Sequence, residues 1–268
     1  MIIAKNKTFK EHLKKLAGNP KFISGIHNYC DRWCERCSVT SRCMNFELSE
    51  AQFADSESRD IENAKFWEKL SETFQVVLEM LKEDAKRWGI NLESFDLEEI
   101  KKEEKLKDKT AEKHACCQAA KRYWEMVDSW FDSAKSSFKE KENELNIKVQ
   151  LEMSNVNPSE QAASIEDEVQ IIRWYQYQIF VKLKRAIDGI LEEEFDVLDE
   201  FPKDSDGSAK VALIAIDRSI SAWGEIRKHF PEAEDKILDM LVHLDRIRRK
   251  TEKTFPSARS FIRPGFDQ

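Results

Sequence analysis

Apolar side chains recur along this chain at steps of three and four, and five stretches hold that rhythm long enough to predict helices. From Ile61 to Trp88 the positions Trp67, Leu70, Phe74, Val77, Leu81, Ala85 and Trp88 fall on one stripe. Gly89 follows where a C-terminal cap is expected, and NLESFD after it reads as a turn. A second stripe, Cys116, Ala120, Tyr123, Val127, Trp130, Ala134 and Phe138, predicts one helix from about Thr110 to Lys141. The third opens at Ser164, read with Asp167 as a cap and acidic first turn, and runs through Ile165, Val169, Ile172, Ile179, Leu183, Ala186 and Ile190. Leu213, Ile216, Ile220, Trp223 and Phe230 mark a fourth. The fifth starts at Pro231 with Glu232, Glu234 and Asp235, uses Ala233, Ile237, Leu241, Leu244 and Ile247, and ends among Arg246, Arg248, Arg249 and Lys250, as the helix dipole favours.

The intervening stretches read differently. LEEIKKEEKLKDK is nearly all charge and predicts a solvated helical connection. ELNIKVQLEMSNVNPSEQAAS, with Pro158 and no helical stripe, predicts an irregular crossing, and LDEFPKDSDGS, with Pro202 and Gly207, a linker. The expected fold is therefore all-α: an up-and-down bundle of about five helices over residues 53–254, with a small cysteine-rich, metal-binding lobe at 1–52. The tail 255–268 keeps Phe255, Phe261, Ile262 and Phe266 beside Arg259 and Arg263. It is too aromatic for a disordered end and is expected to pack on the bundle or the lobe.

Composition agrees with long regular elements: 7 Gly and 6 Pro among 268 residues, with 35% charged side chains. A net charge of -7 disfavours general affinity for nucleic acid or anionic lipid. No apolar run approaches the roughly 18 residues of a membrane span, and MIIAKNKTFKEHLKKLAG lacks the apolar core of a secretory signal. A soluble, cytoplasmic protein is expected, and in a reducing compartment clustered thiols are better read as metal ligands than as disulfides.

Four of the six cysteines crowd into one segment, Cys30, Cys34, Cys37 and Cys43 in HNYCDRWCERCSVTSRCMNF. Thiolates this close repel one another unless a cation or a bridge takes up the charge. Arg32, Arg36 and Arg42 would favour an anionic centre, while Tyr29, Trp33 and Phe46 could shield it or dock the segment. On a helix, Cys30, Cys34 and Cys37 would share a face with Cβ atoms about 5–6 Å apart. Tetrahedral zinc needs its sulfurs only about 3.8 Å apart, so a four-iron cluster suits that spacing better. The first three cysteines also match the spacing of radical enzymes that use S-adenosylmethionine, but those are parallel α/β barrels with one iron lacking a cysteine, and neither trait is read here. His27 is expected to serve as a hydrogen-bonding neighbour rather than a ligand.

Elsewhere, Cys116 and Cys117 sit on or beside an apolar stripe near His114 and read as core. No histidine has a carboxylate three residues before it, which excludes the Glu-x-x-His pattern of a di-iron bundle. Glu225 with His229 and Asp239 with His243 are spaced to pair across one helical turn. Gln176 places an amide in an apolar seam and must find partners, and Asp217 reads as a surface carboxylate. Phosphate loops, nucleophile elbows and triads are not seen. The function expected is a 4Fe-4S iron-sulfur protein that transfers electrons or senses oxidants with an unidentified protein or redox partner. The alternative is a zinc-stabilised interaction module without catalytic activity.

Overall fold

A computed structural model describes residues 2–151, 157–193 and 203–267. Among these residues the chain is all-helical, with ten α-helices and no strand: α1 (Ile2–Ala17), α2 (Met44–Gln52), α3 (Ser56–Arg59), α4 (Ala64–Arg87), α5 (Leu97–Lys113), α6 (Ala115–Ser133), α7 (Lys135–Gln150), α8 (Pro158–Glu193), α9 (Asp204–His229) and α10 (Glu234–Thr254). Single 3-10 turns fill most of the remaining connections. No helix among the described residues is long and apolar enough to cross a membrane.

The chain divides into two compact units: one runs to Glu104 and resumes at Ile262, the other spans Lys105–Phe261. The first contains the cysteine segment and α4, which the structure places over Ala64–Arg87 within the stretch expected to be helical. The Asn63 side chain accepts the Lys65 N–H at its start. Its end is a Schellman cap: Gly89 adopts φ 69°, the Ile90 N–H reaches the Ala85 carbonyl at 2.8 Å, and the Gly89 N–H reaches Lys86. Of the expected stripe only Ala85 is buried, however. Val76 and Ala85 are the buried residues of α4, while Trp67, Phe74, Val77, Leu81 and Trp88 are exposed. The face turned inward instead carries Phe66, which packs on Phe53, and Thr73, which receives a hydrogen bond from Gln52. Glu83 pairs with Lys10 of α1.

In the second unit, α6, α8, α9 and α10 each pack on two of the others in the cyclic order α6–α8–α9–α10. Neighbours run antiparallel. Along α8 and α9, Arg185 meets Asp204, Tyr175 meets Arg218 and Gln161 meets His229. Between α6 and α10, Cys116 lies against Thr254 and the Ala119 carbonyl against His243. The apolar stripes of these helices fill the ring: Tyr123, Val127, Ile172, Ile179, Leu183, Ile216, Trp223, Ile237 and Leu244 are buried. The Trp223 indole N–H donates to the Tyr123 hydroxyl at 2.9 Å, so each buried polar atom satisfies the other. Trp130 stands edge-on to Trp223 with ring centroids 4.8 Å apart, and Phe131, Phe138 and Phe230 close the same aromatic cluster.

Three sequence expectations are corrected here. The stripe read as one helix over 110–141 is cut twice, at His114 and at Ala134. The His114 ring accepts the Cys116 N–H and so caps a new helix. The stretch expected to be irregular is helical to Gln150 and again from Pro158. That proline occupies the first helical position, where its missing N–H costs nothing, and Asn157 accepts the Ser159 N–H as cap. Residues 152–156 lie outside the described residues. The expected linker is α9 from Asp204 on, with Asp204 and Asp206 in its first turn and Gly207 buried; its first part, 198–202, also lies outside the described residues. A Cβ on Gly189 would stand 3.1 Å from Ser205, so small residues let α8 and α9 approach closely there.

Candidate metal centre

The cysteine segment does not form the helix face expected of it. Gly25 at φ 71° begins a 3-10 turn over Ile26–Tyr29, after which Cys30 is extended. Arg32 takes φ 60°, the one described residue other than glycine with positive φ. That conformation costs about 1 kcal/mol or more for a side chain with a Cβ. Asp31 beside it accepts the Trp33 N–H at 3.2 Å. Cys34–Arg36 is another 3-10 turn, closed by the Cys37 N–H on the Cys34 carbonyl. Thr40–Arg42 is a third, closed by the Cys43 N–H on Thr40. Cys43 then stands immediately before α2, and its carbonyl accepts the Glu47 N–H. The Ile23 N–H bonds the Arg42 carbonyl at 3.0 Å and ties the two ends of the segment together.

These turns bring all four cysteines to the wall of one cavity of about 20 Å³, room for little more than a water. Trp33, Phe46 and Phe266 line it with them. Trp33 is buried and carries the Arg36 guanidinium over its ring at 4.0 Å. Phe266 arrives from the chain end: Gly265 at φ 76° packs so closely that a Cβ there would stand 2.6 Å from the Ile23 side chain. Arg263 clamps the same turn through Asp267 and lies over the Phe266 ring.

All six cysteines are free thiols. Burial pushes the Cys34 thiol above its ordinary pKa, and Cys30, Glu35, Cys37 and Cys43 add to the shift through like charge. The Cys34 thiol therefore senses the other three cysteines electrostatically. The Cys30 thiol donates weakly to the His27 carbonyl at 3.4 Å, which puts His27 beside the cysteines through its backbone. As the side chains stand, no group of three or more His, Cys, Asp or Glu among the described residues is arranged to hold a metal ion. A shared centre thus requires the sulfurs to close on it.

The remaining expected residues go elsewhere. Cys116 and Cys117 are fully buried; burial raises both thiols, Cys117 to about 12. His229 bonds Gln161 rather than Glu225, and Glu225 pairs with Lys228, while His243 bonds the Ala119 carbonyl; neither expected turn-spanning pair forms as a hydrogen bond or ion pair among the described residues. Gln176 is buried and finds Asp128 and Arg173 at 3.5 Å each. Asp217 is half-buried and held by Arg248 and Arg259. Asp128, which the pattern did not single out, is a junction: the Trp124 indole N–H donates to it at 2.7 Å and Arg173 at 2.9 Å. Its signal was the i, i+4 spacing of Trp124 and Asp128; the α8 partners come from tertiary packing. Compared with known proteins, the chain matches no family model, no curated protein and no solved structure.

Proposed function

We propose that Cys30, Cys34, Cys37 and Cys43 hold one inorganic centre, an iron-sulfur cluster, and that the protein transfers electrons or senses oxidants in a reducing, cytoplasmic setting. The observation that carries this reading is the single cavity walled by all four thiols. Iron-sulfur proteins string their cysteines closely, as here, whereas structural zinc sites usually join two separated C-x2-C hairpins. Trp33, Phe46 and Phe266 would limit water at the centre, and the Arg36 charge beside it would favour an anionic core. In this reading the lobe at residues 1–52 carries the centre, the helical bundle serves as scaffold, and a protein redox partner docks nearby.

The second reading, a zinc-stabilised interaction module, gains from the correction above. The cysteines stand on tight turns, not on a helix whose spacing would have disfavoured a single ion.

Metal and acid-labile sulfide analysis of anaerobically purified full-length protein separates the two, with Cys34→Ser as comparison. Iron with sulfide, a brown colour that bleaches on oxidation, and a loss of most bound metal in the variant are expected. Colourless protein with one zinc per chain selects the zinc module. Metal content unchanged in Cys34→Ser removes the ligand assignment altogether.

A further inference from the structure

The outward face of α4 poses a separate question, independent of any metal. Trp67, Phe74, Val77, Leu78, Leu81 and Trp88 are between 40% and 71% exposed. At about 100° per residue all six fall within one stripe of roughly 100°, which borders the inward residues Phe66, Thr73 and Val76 and is interrupted by the buried Ala85. Single exposed apolar residues need no explanation, but a contiguous stripe with two tryptophans and a phenylalanine is the composition of an interface centre. Around it stand Glu68, Glu72, Glu79, Lys82 and Lys86, a mixed set without the cationic bias of a lipid-binding helix.

The order of residues along the stripe identifies the occupant. Turning the helix end for end about a point between Val77 and Leu78 sets Val77 opposite Leu78, Phe74 opposite Leu81 and Trp67 opposite Trp88. Each of the six exposed apolar residues meets another of the six. Other centres do worse: bringing Phe74 opposite Val77 sets Trp67 against Asp84, and bringing Val77 opposite Leu81 sets Phe74 against Asp84. A surface that maps onto itself in this way is what a two-fold interface requires. The open part of these six residues amounts to roughly 800 Å² per chain, so two copies would bury at most about the 1,600 Å² of a standard specific interface.

We propose that the protein forms a two-fold dimer through antiparallel α4 helices, with Phe74 of each copy against Leu81 of the other. Lys82 and Asp84 flank this seam, and in the proposed register Lys82 stands level with Thr73 of the second copy and Asp84 with Ser71, both uncharged.

Sedimentation velocity on the full chain under reducing conditions tests this, with far-UV circular dichroism to verify folding; the altered side chains are exposed, so helicity should persist. The wild type should sediment at twice 31.4 kDa. Phe74→Glu alone and Leu81→Lys alone should each weaken the dimer at least about 100-fold in Kd, close to 3 kcal/mol. The double variant should re-form it in a salt-sensitive manner, because the carboxylate introduced on one copy then faces the ammonium introduced on the other. In a parallel pairing each introduced charge would meet its own like, so no rescue would occur. A wild type monomeric at about 100 µM, a Phe74→Glu protein that still dimerises, or a double variant that stays monomeric overturns the proposal. So does a monomer whose stripe instead binds vesicles or a different protein.

Discussion

At the residue scale, position in the packed helices set the chemistry of groups whose type alone said little. His114 and His229 both hold their imidazoles below the ordinary value of 6.5, in each case chiefly through burial, with Lys250 adding to the first and Lys141 to the second. The unfolded chain therefore takes up protons more readily than the fold as pH drops through the histidine range. The contribution of these two histidines to stability is full above about pH 7 and falls as pH is lowered toward 5. Thermal unfolding across that range should show the midpoint falling by several degrees. His114→Asn, which keeps an acceptor for the Cys116 N–H, should flatten the decline; an equally steep profile in the variant would remove His114 from the account. The sequence already showed Cys116 and Cys117 to be core residues, since they lie on or beside the Ala120–Tyr123–Val127 stripe. It could not show that His229 bonds Gln161 from 68 residues away, because no local spacing encodes that contact.

Elements were legible where a local signal was complete. The three-four stripe of α4 and Gly89 defined a helix with little need of tertiary support, and the structure adds Asn63 as its N-terminal cap. Gly89 sits at φ 69° with no heavy atom within 4 Å of the space a Cβ would fill, so Gly89→Ala should cost only the backbone term. That is about 1 kcal/mol, or roughly 2–4 °C. Gly265→Ala should cost clearly more, since its Cβ would also meet Ile23 at 2.6 Å. Equal losses for the two in thermal unfolding would contradict this division between conformational strain and steric clash. The breaks at His114 and Ala134 escaped the periodicity because the apolar stripe continues across both. Pro158 misled for the opposite reason: proline ends a helix from inside but starts one from its first turn.

At the scale of the whole molecule, the ring of α6, α8, α9 and α10 has its own core of Trp223, Tyr123, Ile172 and Ile216, all fully buried. Residues 105–261 expressed alone should therefore show helical far-UV dichroism, an ordered near-UV signal from Trp130 and Trp223, and one cooperative thermal transition. A spectrum with helix but no near-UV signal would mean that this unit cannot specify its packing alone.

The sequence by itself determined that the chain is helical, where most of its apolar stripes run and which four thiols share one short segment, because propensity, period and spacing are local properties. Only the tertiary structure decided which of two apolar faces of α4 is buried, that three 3-10 turns rather than a helix present the cysteines, and that Phe266, from the far end of the chain, walls their cavity. Those outcomes depend on contacts between distant segments, and a hydrophobic residue carries no label naming the surface that will cover it.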